Sequence, residues 1–116
     1  MLGQHETRGN DMTPEGKIKK LVKDLLDEHG AKVWRHMAVT NGMGAPTLDF
    51  TGSAYGLFFA IETKAPGAKP TARQELTIEA MQAANGRVFV IDGDLTELKN
   101  WLNLVRSTRK KLAESV

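Results

Sequence analysis

Glu62 and Lys64 close the run Leu57-Phe58-Phe59-Ala60-Ile61-Glu62-Thr63-Lys64, an apolar segment that ends in charge. On a strand, a period of two puts Phe58, Ala60, Glu62 and Lys64 on one face and Leu57, Phe59, Ile61 and Thr63 on the other. Asp49 lies in the preceding segment and falls across from Glu62 if the two segments pair as a hairpin. Glu15 belongs to the helical stripe Ile18, Val22, Leu26, at its N-terminal end, and looks inward. Two carboxylates about 5 Å apart at an effective dielectric near 20 repel by about 3 kcal/mol. A lysine offsets part of that, and a divalent cation offsets more. Oxygen-only ligands select a hard ion, Mg²⁺ or Mn²⁺, and such an ion polarises a phosphodiester. Lys64 then orients water or stabilises the charge that develops on phosphate. The other reading of the same spacing is a surface ion pair at a strand end.

These side chains need an ordered set of elements to bring them together. Residues 1–12 mix Gly, Asn, Gln and charges without periodicity and read as a mobile arm. Thr13-Pro14-Glu15 opens a helix, with a hydroxyl N-cap and proline in the first turn. Its apolar positions are Ile18, Leu21, Val22, Leu25 and Leu26, and Gly30 closes it. Residues 32–39 have strand composition, and a glycine-rich loop, Thr40 to Pro46, follows. Thr47–Thr51 is predicted as a short strand, Gly52 to Gly56 as the turn, and Leu57–Lys64 as the returning strand. Thr71-Ala72-Arg73-Gln74 matches a capping box and starts a helix carrying Leu76, Ala80, Met81 and Ala84. Asn85-Gly86 ends it, Arg87–Asp92 is a buried-type strand, and Asp94 caps a last helix with Leu95, Leu98, Trp101, Leu102 and Val105 inward. Trp34, Trp101 and Met81 read as core. The order α-β-β-β-α-β-α, with a helix crossing between the third and fourth strands, predicts an α/β fold on a mixed sheet.

Composition narrows the chemistry. The 116 residues contain no Cys and only three His, which removes thiolate metal sites and makes a His-based zinc site improbable. A reducing, cytoplasmic setting fits this composition. No apolar run approaches the roughly 18–20 residues that span a bilayer, so no membrane association is expected. The net charge of +2 is unevenly placed: residues 95–116 carry five basic groups against two acids. Arg106, Arg109, Lys110 and Lys111 form that basic end, which suits either an anionic partner such as DNA or a solvated helix face.

The segment Gly44-Ala45-Pro46-Thr47-Leu48-Asp49-Phe50, the run Gly56 to Gly67 through Glu62-Thr63-Lys64, and Lys69-Pro70-Thr71-Ala72-Arg73-Gln74 together resemble the VRR-NUC family. That family is the virus-type replication-repair branch of the PD-(D/E)XK nucleases. The Met12-Thr13-Pro14-Glu15 start and the Asn85 to Ile91 strand look like small phage-type members, so the resemblance covers residues 12–93. It implies a restriction-endonuclease-like domain over 13–116 and a Mg²⁺- or Mn²⁺-dependent DNA endonuclease. By position, it makes Glu15 the helix acid, Asp49 and Glu62 metal ligands with the Thr63 backbone carbonyl, Lys64 the catalytic lysine and Gln74 an active-site glutamine. It also implies a homodimer acting on branched DNA such as four-way junctions. One departure stands out: the family usually has Pro directly before the Asp, whereas Thr47 and Leu48 separate Pro46 from Asp49 here.

Gln74 has two readings, an active-site amide or only the capping-box partner of Thr71. Lys69 and Arg73 flank the site as phosphate contacts or solvated charges. Arg35 and His36 lead into the glycine loop as phosphate contacts, His36 otherwise being an ordinary strand histidine, while Asp92 and Asp94 read as a turn and an N-cap. The competing functions are a catalytically silent DNA-binding accessory module of the same fold and a structural protein with an exposed apolar patch.

Overall fold

The computed structural model describes residues 12–38 and 47–115. Residues 1–11, 39–46 and 116 lie outside them, and with these most of the predicted arm, the end of the first predicted strand and the glycine-rich segment with its proline. The helix α1 spans Pro14–Asp27, and Thr13 caps it, its hydroxyl accepting from the Gly16 amide at 3.0 Å. Strands β1 (Val33–Met37), β2 (Phe50–Ala54) and β3 (Leu57–Thr63) follow, then helix α2 (Ala72–Ala83), strand β4 (Arg87–Ile91) and helix α3 (Thr96–Ser115). The four strands form one mixed sheet in the order β1-β2-β3-β4, antiparallel except for the parallel pair β3–β4. The α2 crossover makes that last pairing parallel. No helix among the described residues is long and apolar enough to cross a membrane.

One sheet face carries the main core. Ile18, Val22, Leu25 and Leu26 of α1 and Leu98 and Leu102 of α3 pack there on Phe50, Phe59, Ile61, Phe89 and Ile91. Helix α2 covers the other face only over β3 and β4, where Leu48, Ala60 and Ile78 are buried with Met81 and Val88 beside them. β3 is therefore buried on both faces from Phe59 to Thr63. A carboxylate at its far end has little water around it.

Local expectations are corrected at five places. Helix α1 stops at Asp27, before Gly30, because its last turn tightens. Glu28 N–H donates to both Asp24 and Leu25 carbonyls, and His29 N–H to Leu26, before a 3₁₀ turn at Gly30–Lys32. The hairpin turn is only Tyr55-Gly56, whose φ angles of 52° and 89° are the signature of a type I′ connection. Gly52 lies inside β2 for a different reason. A Cβ there would stand 2.0 Å from the Trp34 carbonyl oxygen and 2.9 Å from Arg35 Cα, so glycine allows β1 to close on β2. In α2 the inward side chain is Ile78, while Leu76, Ala80 and Ala84 are exposed. Finally, Trp34 is not core. It is 66% exposed, because it faces the side of the sheet that α2 leaves open over β1. Trp101, by contrast, packs on Phe59 and Phe89.

Gly52→Ala is expected to cost about 1–3 kcal/mol or more, because both obstructing groups are backbone and cannot rotate away. A lowered urea midpoint with an unchanged slope would show this. Parental stability would mean that β1 and β2 pair more loosely than described.

Candidate active site

The register of the central hairpin sets the site. β2 and β3 pair as Phe50↔Ile61 at their outer end, so the next step outward brings Asp49 beside Glu62. Glu62 is 3% exposed, the one charged residue fully inside the described protein. Burial, first, and the Asp49 charge, second, raise its pKa above the ordinary 4.5, while Lys64 acts the other way. Lys64 Nζ stands 3.5 Å from Glu62 Oε2. Asp49 is tied down by Thr63, whose backbone N–H and hydroxyl both donate to Oδ2, at 2.8 and 2.7 Å.

Gln74 joins the cluster from the first turn of α2 and makes two sets of contacts, one to the helix cap and one to Glu62. Its Oε1 accepts from the Thr71 N–H at 2.9 Å, completing the capping box in which Thr71 Oγ1 accepts from the Gln74 N–H. Its Nε2 donates to Glu62 Oε2 at 2.8 Å. An amide has a donor and an acceptor at opposite corners, so one side chain can cap the helix and hold the carboxylate together.

Glu15 reaches the other acids through a residue that sequence reasoning passed over. Lys19 Nζ lies 3.5 Å from Glu15 Oε2 and 3.6 Å from Asp49 Oδ1. The signal was present: Lys19 follows Glu15 by one helical turn, on the same stripe that leads to Val22 and Leu26. Thr63 was singled out for its carbonyl, yet its amide and hydroxyl are what position Asp49. Lys69, in the β3–α2 loop, and Arg73, in the first turn of α2, are exposed near Gln74 and make no ion pair among the described residues.

The remaining sequence candidates lie elsewhere. Arg35 is paired with Asp27 at 3.2 Å and ties β1 to α1, while His36 is exposed on the opposite sheet face. Asp94 accepts from the Thr96 N–H at the start of α3, and Asp92 accepts from the Gly67 N–H. Arg106, Arg109 and Lys110 gather near the β2–β3 turn, at the other end of the sheet from Glu62. Lys111 is exposed further along α3.

No third acid, His or Cys joins Asp49 and Glu62 within reach of one metal among the described residues. Their donor set nevertheless fits a hard divalent ion. Mg²⁺ is held by one or two carboxylates and completes its shell with water and substrate phosphate. The two carboxylates here oppose each other electrostatically and are oriented by Thr63 and Gln74. No family model, curated protein or solved structure matches the chain.

Proposed function

We propose that this chain is a metal-dependent DNA endonuclease of the restriction-endonuclease-like kind, similar to the VRR-NUC branch. The observation that carries this reading is the buried Glu62, set beside Lys64 and Asp49 and held by Gln74 at the end of a mixed sheet. A pure binding module gains nothing from an uncomfortable carboxylate where a phosphate is to approach.

Asp49 and Glu62 would hold Mg²⁺ or Mn²⁺, which supplies a Lewis acid for the phosphodiester. The chain's own residues do the rest. Thr63 fixes Asp49 in one rotamer, and Gln74 fixes Glu62, so neither carboxylate must be reorganised when charge arrives. Lys64, mostly buried at its side chain, offers an ammonium to the charge developing on the scissile phosphate. Lys19 keeps Glu15 and Asp49 from repelling each other freely. Lys69 and Arg73 reach neighbouring phosphates and position the strand. One protomer has one such site, and paired cuts on a branched substrate need a two-fold axis, so the acting form is a homodimer.

The test is incubation with duplex, nicked, flap and four-way-junction DNA in Mg²⁺, Mn²⁺ or EDTA. The expected result is cleavage of the junction with either metal and none in EDTA. Binding without cleavage on every substrate would favour the accessory-module reading, and cleavage that survives EDTA would overturn the metal assignment.

A further inference from the structure

The opposite end of the sheet holds a second cluster that the Glu62 site does not use. The Tyr55-Gly56 turn, the segment from α1 to β1 and the second half of α3 enclose an open cleft of about 870 Å³. Lys32, Arg106, Arg109 and Lys110 line it, against Glu28 as the acid. None of these four cations makes an ion pair among the described residues. Arg109 lies against the turn: its Nη2 is 3.4 Å, an ordinary contact distance, from where a Cβ on Gly56 would stand.

Aromatic surface meets this charge. Tyr55 is held by a 2.6 Å hydrogen bond between its hydroxyl and His29 Nδ1, with the two rings edge to face. Burial, and then the Arg106 charge, lower the His29 pKa, so the imidazole is a fixed post here rather than another cation. Trp34 lines the same cleft and is 66% exposed, a large ring that contributes to neither core cluster. An acidic peptide would need the cations alone. A ring presented beside several cations suits a flat base with phosphates attached, through stacking together with charge.

We infer that this cleft binds an unpaired nucleotide of a DNA strand, with its base on Trp34 and the flanking phosphates on Arg106, Arg109 and Lys110. The six residue steps from Gly56, in the turn, to Glu62, in β3, put it roughly 20 Å from the buried carboxylate. On the nuclease reading, that separation is about six base-pair steps of duplex. The substrate class is then branched DNA in which a duplex arm adjoins an unpaired nucleotide, as where a junction opens at its branch point or a flap leaves the duplex, a refinement that rests on the reading above.

The experiment follows tryptophan fluorescence in EDTA, where no cleavage occurs, during titration with an oligothymidine of about twelve nucleotides. Of the two tryptophans, Trp101 is packed between Phe59 and Phe89, so quenching reports Trp34. Quenching is expected with the oligothymidine. Followed by the anisotropy of a labelled oligothymidine, Trp34→Ala should weaken its binding roughly 5- to 150-fold, and Trp34→Phe should restore most of it. Binding of a blunt duplex of the same length, followed by anisotropy, should be unchanged by Trp34→Ala. Arg109→Gln with Lys110→Gln should flatten the log K against log[salt] slope for the single strand by about 1.4. Equal weakening of both DNAs by Trp34→Ala, or of neither, would overturn the inference. So would polyglutamate that binds as tightly as the oligothymidine with the same quench. Glu62→Gln should leave the quench intact. A chain that quenches but never cuts sinks only the nuclease reading, and one that cuts junctions without quenching sinks only this one.

Discussion

Glu62→Gln is expected to remove metal-dependent cleavage and, at the same time, to leave the metal-free protein at least as stable as the parent. The loss of rate should be roughly a thousandfold, the equivalent of about 4 kcal/mol of transition-state stabilisation. The stability effect has a definite sign. Burial and Asp49 raise the folded pKa of Glu62 above 4.5, so the native state takes up its proton more readily than the unfolded chain. Stability from this group is complete below pH 4.5 and is lost as the pH climbs through the raised folded value. Gln at position 62 carries no charge to lose, and its carbonyl still accepts from the Gln74 amide. Urea midpoints of parent and variant should therefore diverge in the variant's favour as pH rises through that window, and run parallel above it. Mg²⁺ should stabilise the parent by mass action and the variant much less. Parallel pH profiles from acid to neutral, or an active variant, would show that Glu62 is neither strained nor catalytic.

The legibility of this molecule divides along the range of the forces involved. Thr13 with Pro14, and Thr71 with Gln74, are signals carried by adjacent residues, and both became the caps they spell. The crossover between β3 and β4 was legible because a dozen or more residues with helical spacing leave little choice of topology. Asp49 was legible as a hairpin neighbour of Glu62, but the register that sets the two side by side depends on the two-residue Tyr55-Gly56 turn, where the sequence suggested a longer one. Gly52 was not legible, since glycine in a short polar segment reads as a turn, and its real task is set by a carbonyl on another strand. Trp34 failed for a similar reason. An aromatic in a strand reads as core, but its fate depends on which strands the short helix α2 covers, a question of tertiary reach. Lys19 was hidden because its two partners, Glu15 and Asp49, are joined only after α1 has docked on the sheet.

Gln74 offers the sharpest test of how the fold and the site depend on each other, because one amide serves both. Gln74→Glu keeps an acceptor for the Thr71 N–H, and a carboxylate in a helix's first turn is favoured. It loses the donor to Glu62, however, and sets a further negative charge against a carboxylate that burial already disfavours. The expected result is a destabilised protein at neutral pH that recovers in acid, as the paired carboxyls take up a proton. Gln74→Ala loses both contacts at every pH and should cost about 1–3 kcal/mol. The decisive variant is the exchange, Glu62→Gln together with Gln74→Glu. It restores a complementary donor and acceptor with reversed direction, so its stability should exceed the sum of the single effects by about 0.5–3 kcal/mol. Its cleavage should stay absent, because the carboxylate has moved from the sheet to the helix cap and no longer stands beside Asp49. Additive stabilities would mean that Gln74 caps α2 without gripping Glu62. Recovered cleavage would mean that the cluster needs only its net charge at this end of the sheet, and that the geometry of Glu62 is incidental to the chemistry.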